Sequence, residues 1–449
     1  MAGGDLMYRL AHATETAATV WARHTANGVL SITVNGQTFT GTTIDTATAD
    51  GTGTVTATGL SAGQEYPFTL SVGGTAIHAG TLRTMPASGS SFSMLWAYCW
   101  HPFRPAFAIE QAMRQHNDIA AFFMAGDNIY SDYDTSTSTR TAWGETLQNI
   151  GAIMQADANN PALAEAGLRA MYRARFKEPC TQAAAEAYPT YPMISDHDMN
   201  TGDNWDVNHT TASVNAYVSW ASTQAQAEAV WEKHKSVFWE FYAGTPANTH
   251  ANRDTGAPTT QQFYFDFVIG DVHVFCLDAN NHKDRLLDVD FGTAQMAWLL
   301  SRLSASTSIW KMIATGEGIT EYAADVHADP QAIIDHIQTN NITGCFMIGG
   351  DIHAPYMGEY GIPMLRPGQV SQGNHTAIPN GWLGGAKYKW LGYASNGVSN
   401  EIAPHSVGVI RVTPDRLDVD YLDSEGNVFW TGYMLPDSTA MQYERARIG

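Results

Sequence analysis

Cysteine is scarce in this chain, with four residues in 449, at positions 99, 180, 276 and 345. None stands at CxxC or zinc-type spacing, which excludes a disulfide framework and a cysteine-rich zinc module as the source of stability. Cys276 and Cys345 lie inside the apolar runs VHVFCL and GCFMI and read as core thiols. Basic residues are also few: 24 Lys+Arg face 44 Asp+Glu, for a formal net charge of −20. A surface of that sign does not track a phosphate backbone, so nucleic acid is not an expected partner. It also repels a phosphate ester unless bound cations reverse the local field. No stretch of 18 apolar residues occurs, so no membrane span is expected. The opening MAGGDLMYRL has no basic region followed by an apolar one, and no secretory leader is visible in it.

What the chain does have is apolar and aromatic bulk. Hydrophobic residues make up 44% of it, with 13 Trp, 17 Phe and 19 Tyr, enough to fill the cores of two domains. Residues 1–86 are rich in Thr, Gly, Ala and Val, with strand-length runs such as GVLSITVNG (28–36), GTVTATGL (53–60) and EYPFTLSVGG (65–74). Turn signals at Asn35-Gly36, Asp50-Gly51 and Gly73-Gly74 divide them, the signature of an all-β sandwich of the Ig/fibronectin-III kind.

Residues 87–449 change pattern. Buried-strand runs at SMLWAYC (93–99), DIAAFFMAGD (118–127), DVHVFCLD (271–278), IWKMIATG (309–316), TGCFMIGGD (343–351) and SVGVIRVT (406–413) are interspersed with amphipathic stretches. In AGLRAMYRARF (166–176), Leu168, Met171, Tyr172 and Phe176 share one stripe; AEAVWEKHKSVFWEFYAG (227–244) repeats the spacing from Val230 to Tyr242. Strand and helix in alternation predict an α/β layered domain. Loops are expected over 131–165, 201–215, 245–260 and 354–400.

Four segments carry polar chemistry at strand ends. Cys99 ends SMLWAYC, and Asp127 and Tyr130 sit in GDNIY. Asp196, His197 and Asp198 lie in SDHD after YPMI, and Asp351 and His353 in GDIH. In open α/β sheets ligands gather outside the carboxyl ends of strands, where all four sets fall. A carboxylate at the mouth of a buried strand is costly unless a cation compensates it. Carboxylate, phenol, thiol and imidazole converging in this way point to a dinuclear metal site and a hydrolase.

With these motifs the chain resembles the alkaline phosphatase D (PhoD-like) family of calcineurin-like metallophosphoesterases. GDNIY, SDHD and GDIH carry the resemblance, preceded by Cys99 and a small β domain. Further stretches extend it: GLSAGQEYPFTL, TLRTMP, the segment from YRARF to SDHD, FYFDFVIGDVHVFCLDAN and GTAQMAWLLSRL. The resemblance implies a layered β-sandwich core flanked by helices, with the N-terminal all-β domain appended. It implies that Asp127 bridges two metals, that Cys99, Tyr130 and His353 complete an iron(III) position, and that Asp196 and Asp351 hold calcium. Zinc or manganese are possible substitutes, and either Asn200 or Asn204 is a further candidate oxygen ligand.

The activity expected is hydrolysis of a small phosphate ester by metal-generated hydroxide. His197 would protonate the leaving oxygen, with Asp198 orienting the imidazole. The family's arginine after the strand CLDAN is absent: Asn280 and Asn281 stand there, and Arg285 follows in HKDR. That departure favours diesters or triesters over monoesters, unless Arg285 takes the role. GEGIT, with Glu317 at another strand end, reads as a structural turn, with pocket lining the alternative. Phosphotriesterase and phospholipase D-like activities are the alternatives within the class, and an inactive binding or adhesion protein the alternative outside it. The resemblance also implies a secreted or periplasmic protein.

Overall fold

Alternation of Thr, Val and Ala sends every second side chain of the first strands inward, and the two sheets they form close on one another. The structure, a computed structural model, describes residues 6–131, 139–199, 223–245, 263–281, 290–317, 328–351, 353, 355–359, 361–367, 388–391 and 405–443. One N-terminal sheet holds β1 (Met7–Ala13), β2 (Ala17–Arg23) and β5 (Thr52–Thr58). The other holds β4 (Gln37–Ile44), β3 (Gly28–Val34), β6 (Glu65–Val72) and β7 (Thr75–Arg83). All pairings are antiparallel, the three-plus-four division of a fibronectin-type sandwich.

Among the described residues, the rest of the chain builds two mixed sheets of seven strands and a small two-stranded one. The first runs, in spatial order, β12 (Thr190–Met193), β9 (Ile119–Ala125), β8 (Phe92–Ala97), β20 (Ser406–Val412), β21 (Leu417–Asp423), β22 (Val428–Met434) and β23 (Gln442–Tyr443). The second runs β13 (Phe265–Ile269), β14 (Val272–Leu277), β15 (Trp310–Thr315), β16 (Cys345–Ile348), β18 (Pro363–Arg366), β17 (Tyr356–Glu359) and β19 (Tyr388–Leu391). Strands β8, β9 and β12 are parallel, as are β14, β15, β16 and β18, so their carboxyl ends share a direction within each sheet.

Side-chain parity decides what each face of the second sheet touches. Val274, Cys276, Met312, Ala314, Phe346 and Ile348 join the large core between the sheets, where Phe267 stacks on Tyr191 at 4.1 Å. Their neighbours Phe275, Leu277, Ile313, Cys345 and Met347 face the other way and form a second core. Leu299 and Leu303 of the helix Gly292–Ala305 and Ile333 and Ile337 of the helix Ala328–Thr339 cover it. This is the expected layered α/β architecture, with the thiols of Cys276 and Cys345 buried as core groups.

Helices beside the first sheet are set by local chemistry. The helix Ala162–Lys177 stops at Glu178, because the residue before a proline is pushed out of the helical region; Glu178 is extended at ψ 121°. Pro179 then starts the helix Pro179–Ala187, and the Glu178 carboxylate caps it by accepting from the N–H groups of Cys180 and Thr181. The long helix Gln224–Tyr242 lies against the first of these, with Phe241 stacked on Tyr172 at 5.3 Å.

The expectation of loops is corrected in two places. Residues 131–165 contain the hairpin β10 (Arg140–Ala142) and β11 (Glu145–Leu147) and the helix Ile150–Ala156. Residues 354–400 contain β17, β18 and β19. Short elements of three to seven residues lack the periodic run that identifies a strand or helix in sequence. The segments 201–215 and 246–260 lie outside the described residues.

The N-terminal sandwich meets the first seven-stranded sheet through aromatic side chains. His12 is enclosed between Tyr191 and Phe267, its Nδ1 3.0 Å from the Tyr191 hydroxyl. That hydroxyl accepts from the N–H of Ala13 at 3.4 Å, leaving its own proton for an unprotonated Nδ1. Burial lowers the His12 imidazole from 6.5 to about 4. Between those values the unfolded chain binds the proton and the folded chain does not, so stability is lost as pH falls from 6.5 towards 4. The urea midpoint should therefore drop from pH 7 to pH 5, and His12→Gln should flatten the drop; an unchanged slope would refute this role for His12.

Candidate metal centre

The sequence places Gly-Asp just past β9, Gly-Gly-Asp past β16 and Gly-Glu past β15, and the glycines allow the two sheets to converge there. A Cβ on Gly126 would stand 2.5 Å from the carbonyl oxygen of Gly316. One on Gly316 would stand 2.1 Å from the oxygen of Ile194, and one on Gly350 1.8 Å from that of Ala125. These are backbone contacts that cannot rotate away. Past β9, β12, β15 and β16 the four chain segments touch main chain to main chain, and the residues that follow share a small volume.

Two of those residues, Asp127 at φ 50° and Asp351 at φ 69°, have a left-handed backbone, as has Cys99 past β8 at φ 58°. For a residue with a Cβ this costs about 1–2 kcal/mol, and such conformations gather at functional sites. Here the turn swings each side chain off its strand towards the centre. Cys99 Sγ lies 3.1 Å from Asp127 Oδ2 and 3.5 Å from the carbonyl oxygen of Asp351. The Tyr130 hydroxyl is 2.9 Å from the same Asp127 Oδ2 and 2.8 Å from His353 Nε2. Tyr130 has one proton; when Asp127 accepts it, the hydrogen bond to His353 is donated by Nε2–H. On the other side, the Ser195 hydroxyl reaches Asp127 Oδ1 at 2.6 Å and Asp196 Oδ1 at 2.9 Å.

Two overlapping groups result. Ligand atoms of Cys99, Asp127 and His353 lie within 4.8 Å of one another, as do those of Asp127, Asp196 and His197, so Asp127 belongs to both. Asp351 enters through its carbonyl, and its charge is felt at Cys99. Burial, then the charges of Asp127 and Asp351, push the Cys99 thiol well above its usual range. Burial, Asp127 and Cys99 do the same to the Tyr130 phenol. Thiol and phenol therefore keep their protons unless a cation stands among them, and a cation would take the place of the protons now directed at Asp127. A soft sulfur, a phenol oxygen, an imidazole and a carboxylate on one side, with two carboxylates and the His197 imidazole on the other, fit two metal ions of different character.

His197 reaches solvent, its side chain 26% exposed, as His353 and Asp351 do in part, whereas Asp127 is fully buried. Its ring lies on that of Tyr130 at 4.2 Å, with Nε2 3.9 Å from Asp196 Oδ2. Its carbonyl accepts from the Ser131 hydroxyl at 2.8 Å.

Asp198 does not orient that imidazole, and here the sequence expectation is corrected. Its carboxylate turns inward, accepting from Asn128 Nδ2 at 2.9 Å, Ile129 N–H at 3.2 Å, Ser195 N–H at 3.1 Å and the Tyr172 hydroxyl at 3.4 Å. The short 3-10 turn His197–Met199 sends adjacent side chains in different directions, so neighbours in sequence do not share a target. Asp198 ties the GDNIY turn to the SDHD turn. Burial, reinforced by Asp127, raises it to about 8 against the pull of those donors.

Several supporting groups were not singled out from sequence. Asn128 Nδ2 also donates to Met193 O at 2.8 Å, and His234 Nδ1–H to Asp198 O at 2.7 Å. Arg175, fully buried, donates to Asn128 O at 3.0 Å and lies over Trp100. Asn128 and Ser195 stand inside the quoted motifs, where a polar residue at a buried strand end was the available signal. Glu317 is buried at the end of β15, where Asn280 Nδ2 donates to it. Of the other histidines considered, His101 Nδ1 accepts from Phe103 N–H within its own turn, and His273 bonds Asp266 and Ser306 away from the site. Asn200, Asn204, His209 and Arg285 lie outside the described residues.

Comparison with known proteins agrees with this geometry. The family model described as PhoD-like phosphatase matches residues 94–375. Among solved structures, one described as PhoD is similar over 98% of this chain and 92% of its own, with a TM-score of 0.71 at 15% identity. A purple acid phosphatase from seeds of yellow lupin (Lupinus luteus) is similar over 95% of this chain and 74% of its own, with a TM-score of 0.56 at 12% identity. Both likenesses are of fold. No curated protein matches the chain by sequence.

Two substitutions test the construction of the centre. Gly350→Ala should abolish metal retention by forcing the sheet ends apart, measured as metal per chain after gel filtration. Asn128→Ala removes a donor from Asp198 and one from Met193, and should cost about 2–3 kcal/mol in urea unfolding. A cost within error of zero would show that the tie between the two turns is not stabilising.

Proposed function

The chain belongs to the PhoD-like phosphatase family, and on that premise we propose how its residues hydrolyse a phosphate ester. Cys99, Tyr130, His353 and Asp127 would hold an iron(III)-type ion; Asp127, Asp196 and Asp351 would hold a calcium-type ion, with zinc or manganese as substitutes. When bound, the ions supply Lewis acidity towards phosphoryl oxygen and generate hydroxide from water near neutral pH. The remaining work falls to the protein. The ligand carboxylates balance the cations' charge, the buried floor excludes bulk water, and His197 carries the proton to the leaving oxygen.

The observation that carries this reading is the placement of His197. It is a solvent-reaching imidazole laid on Tyr130, beside a buried cluster in which the other donors point at one another. Asp198 acts as a tie between turns, with no part in proton transfer.

The substrate we favour is a diester or triester. The end of β14 presents the amides of Asn280 and Asn281, and Asn280 is engaged by the carboxylate of Glu317. Neutral amides beside an acid attract a dianionic monoester less than a guanidinium would. The family resemblance also supports a secreted or periplasmic setting, and no described helix is long and apolar enough to cross a membrane. We take residues 1–86 and 87–449 as the two domains.

His197→Ala should lower kcat by about 10²–10⁴-fold while metal content stays at the wild-type level. Retained activity would remove His197 from the mechanism. Rates on aryl phosphate mono-, di- and triesters should rank the monoester last, and a strong monoester preference would overturn the substrate assignment. The purified protein should absorb visible light through iron(III)–tyrosinate and lose or shift the band in Tyr130→Phe. Colourless protein with stoichiometric zinc would overturn the iron assignment.

A further inference from the structure

Strand β12, which leads directly into Ser195, Asp196 and His197, is the terminal strand of its sheet among the described residues and has β9 as its single sheet neighbour there. Strands β8 and β9, which lead to Cys99 and Asp127, each have a neighbour on both sides. An edge strand is the member of a sheet most free to slip, and a slip by one residue turns every side chain to the opposite face. The outer side of β12 is met instead by groups from the N-terminal sandwich.

Arg9, on β1, is the central one. Its Nη1 donates to Thr190 O at 3.3 Å, at the first residue of β12. Its Nε donates to Phe241 O at 3.2 Å and its Nη2 to Ala243 O at 2.9 Å. Those carbonyls close the helix Gln224–Tyr242, whose last turn has no basic residue of its own. The carbonyls at a helix C-terminus have no partners within the helix and carry its negative end, so a buried cation there is doubly favourable. The guanidinium is 0% exposed, between the rings of Trp21 at 5.7 Å and Tyr242 at 5.4 Å. Trp21 Nε1–H adds a bond to Glu240 O at 2.9 Å.

Both elements held by Arg9 converge on the same turn. β12 runs into it, and the helix holds it through His234 and the carbonyl of Asp198. We propose that the N-terminal domain, through Arg9, positions the Asp196–His197 half of the metal centre and acts chiefly on that half, because Arg9 bonds β12 and the helix Gln224–Tyr242 and neither β8 nor β16, which lead to Cys99 and His353. This rests on the reading of Asp196 as a ligand. Arg9 is a positioning residue: it touches neither substrate nor metal, and acts by fixing the register and angle of an edge strand. The planar fork is required, because three carbonyls on two elements are reached by three separate N–H groups, which a single ammonium does not span.

The test uses the full-length protein with Arg9→Met, which keeps the apolar stem and removes the fork, and Arg9→Lys, which keeps the charge. Calcium affinity is measured by titration with calcium chloride, iron by elemental analysis and the visible band. Hydrogen exchange follows the amides of residues 190–198. In Arg9→Met, calcium should bind about tenfold or more weakly, iron and its band should stay at wild-type values, and amides 190–198 should exchange faster than those of β8. Arg9→Lys should shift in the same direction by less. Wild-type calcium affinity in Arg9→Met, or loss of both metals in parallel in whichever variant folds, would overturn the proposal. If Arg9→Met does not fold, Arg9→Lys and the exchange of 190–198 decide the matter alone. A wild-type protein that binds no metal and cleaves no phosphate ester would instead overturn the function proposed above.

Discussion

Everything at the centre depends on main-chain contact between two sheets. Gly126, Gly316 and Gly350 leave no room for a methyl group between the ends of β9, β12, β15 and β16. Side chains of ordinary length then converge from four strands. Without that contact the same carboxylates would stand on two separate edges, each solvated and none shared. Asp127 belongs to both ligand groups because the residue before it has no side chain.

Close approach concentrates negative charge, and the structure offsets it in two ways. Within the centre, protons on Cys99, Tyr130 and Ser195 are directed at the Asp127 carboxylate. Just beneath it, Asp198 is satisfied by an amide side chain, two backbone N–H groups and a phenol, so that a second buried carboxylate rigidifies the floor. The left-handed turns at Cys99, Asp127 and Asp351 persist because this network over-determines them. Precision of placement is held in the backbone and these supports, while His197, at the solvent edge, is left accessible.

Most of the architecture was legible in the sequence because its signals are periodic. Buried strands appear as unbroken apolar runs, the long helices as stripes such as Leu168–Met171–Tyr172–Phe176, and the sandwich as Thr/Val alternation between Gly-containing turns. The residues that converge past the strand ends were legible as candidates for a different reason: a Gly-Asp pair or an Asp-His-Asp run at the end of an apolar run is costly to bury without a compensating cation. The sequence did not reveal direction. Asp198 and His197 are adjacent, yet one points into the floor and the other to solvent, and only the 3-10 turn decides which. Ser195 and Arg175 carry no signal of their own in the sequence, and His234 reads there as a member of the stripe from Val230 to Tyr242. Their partners lie 36 to 68 residues away, a separation that no local pattern encodes.

The pairing of β8 with β20 has a consequence for how the molecule is made. Leu95 lies opposite Val409, so the strand that leads to Cys99 acquires its second neighbour from near the end of the chain. The bond from Arg9 likewise waits for residue 241. During synthesis the N-terminal sandwich is finished long before either partner emerges, and the half-built sheet behind it has exposed edges that must remain unpaired. Such long-range pairing slows folding. It also leaves a truncated chain without the completed sheet on which the Cys99 turn stands, so full length is a condition of assembling that half of the centre.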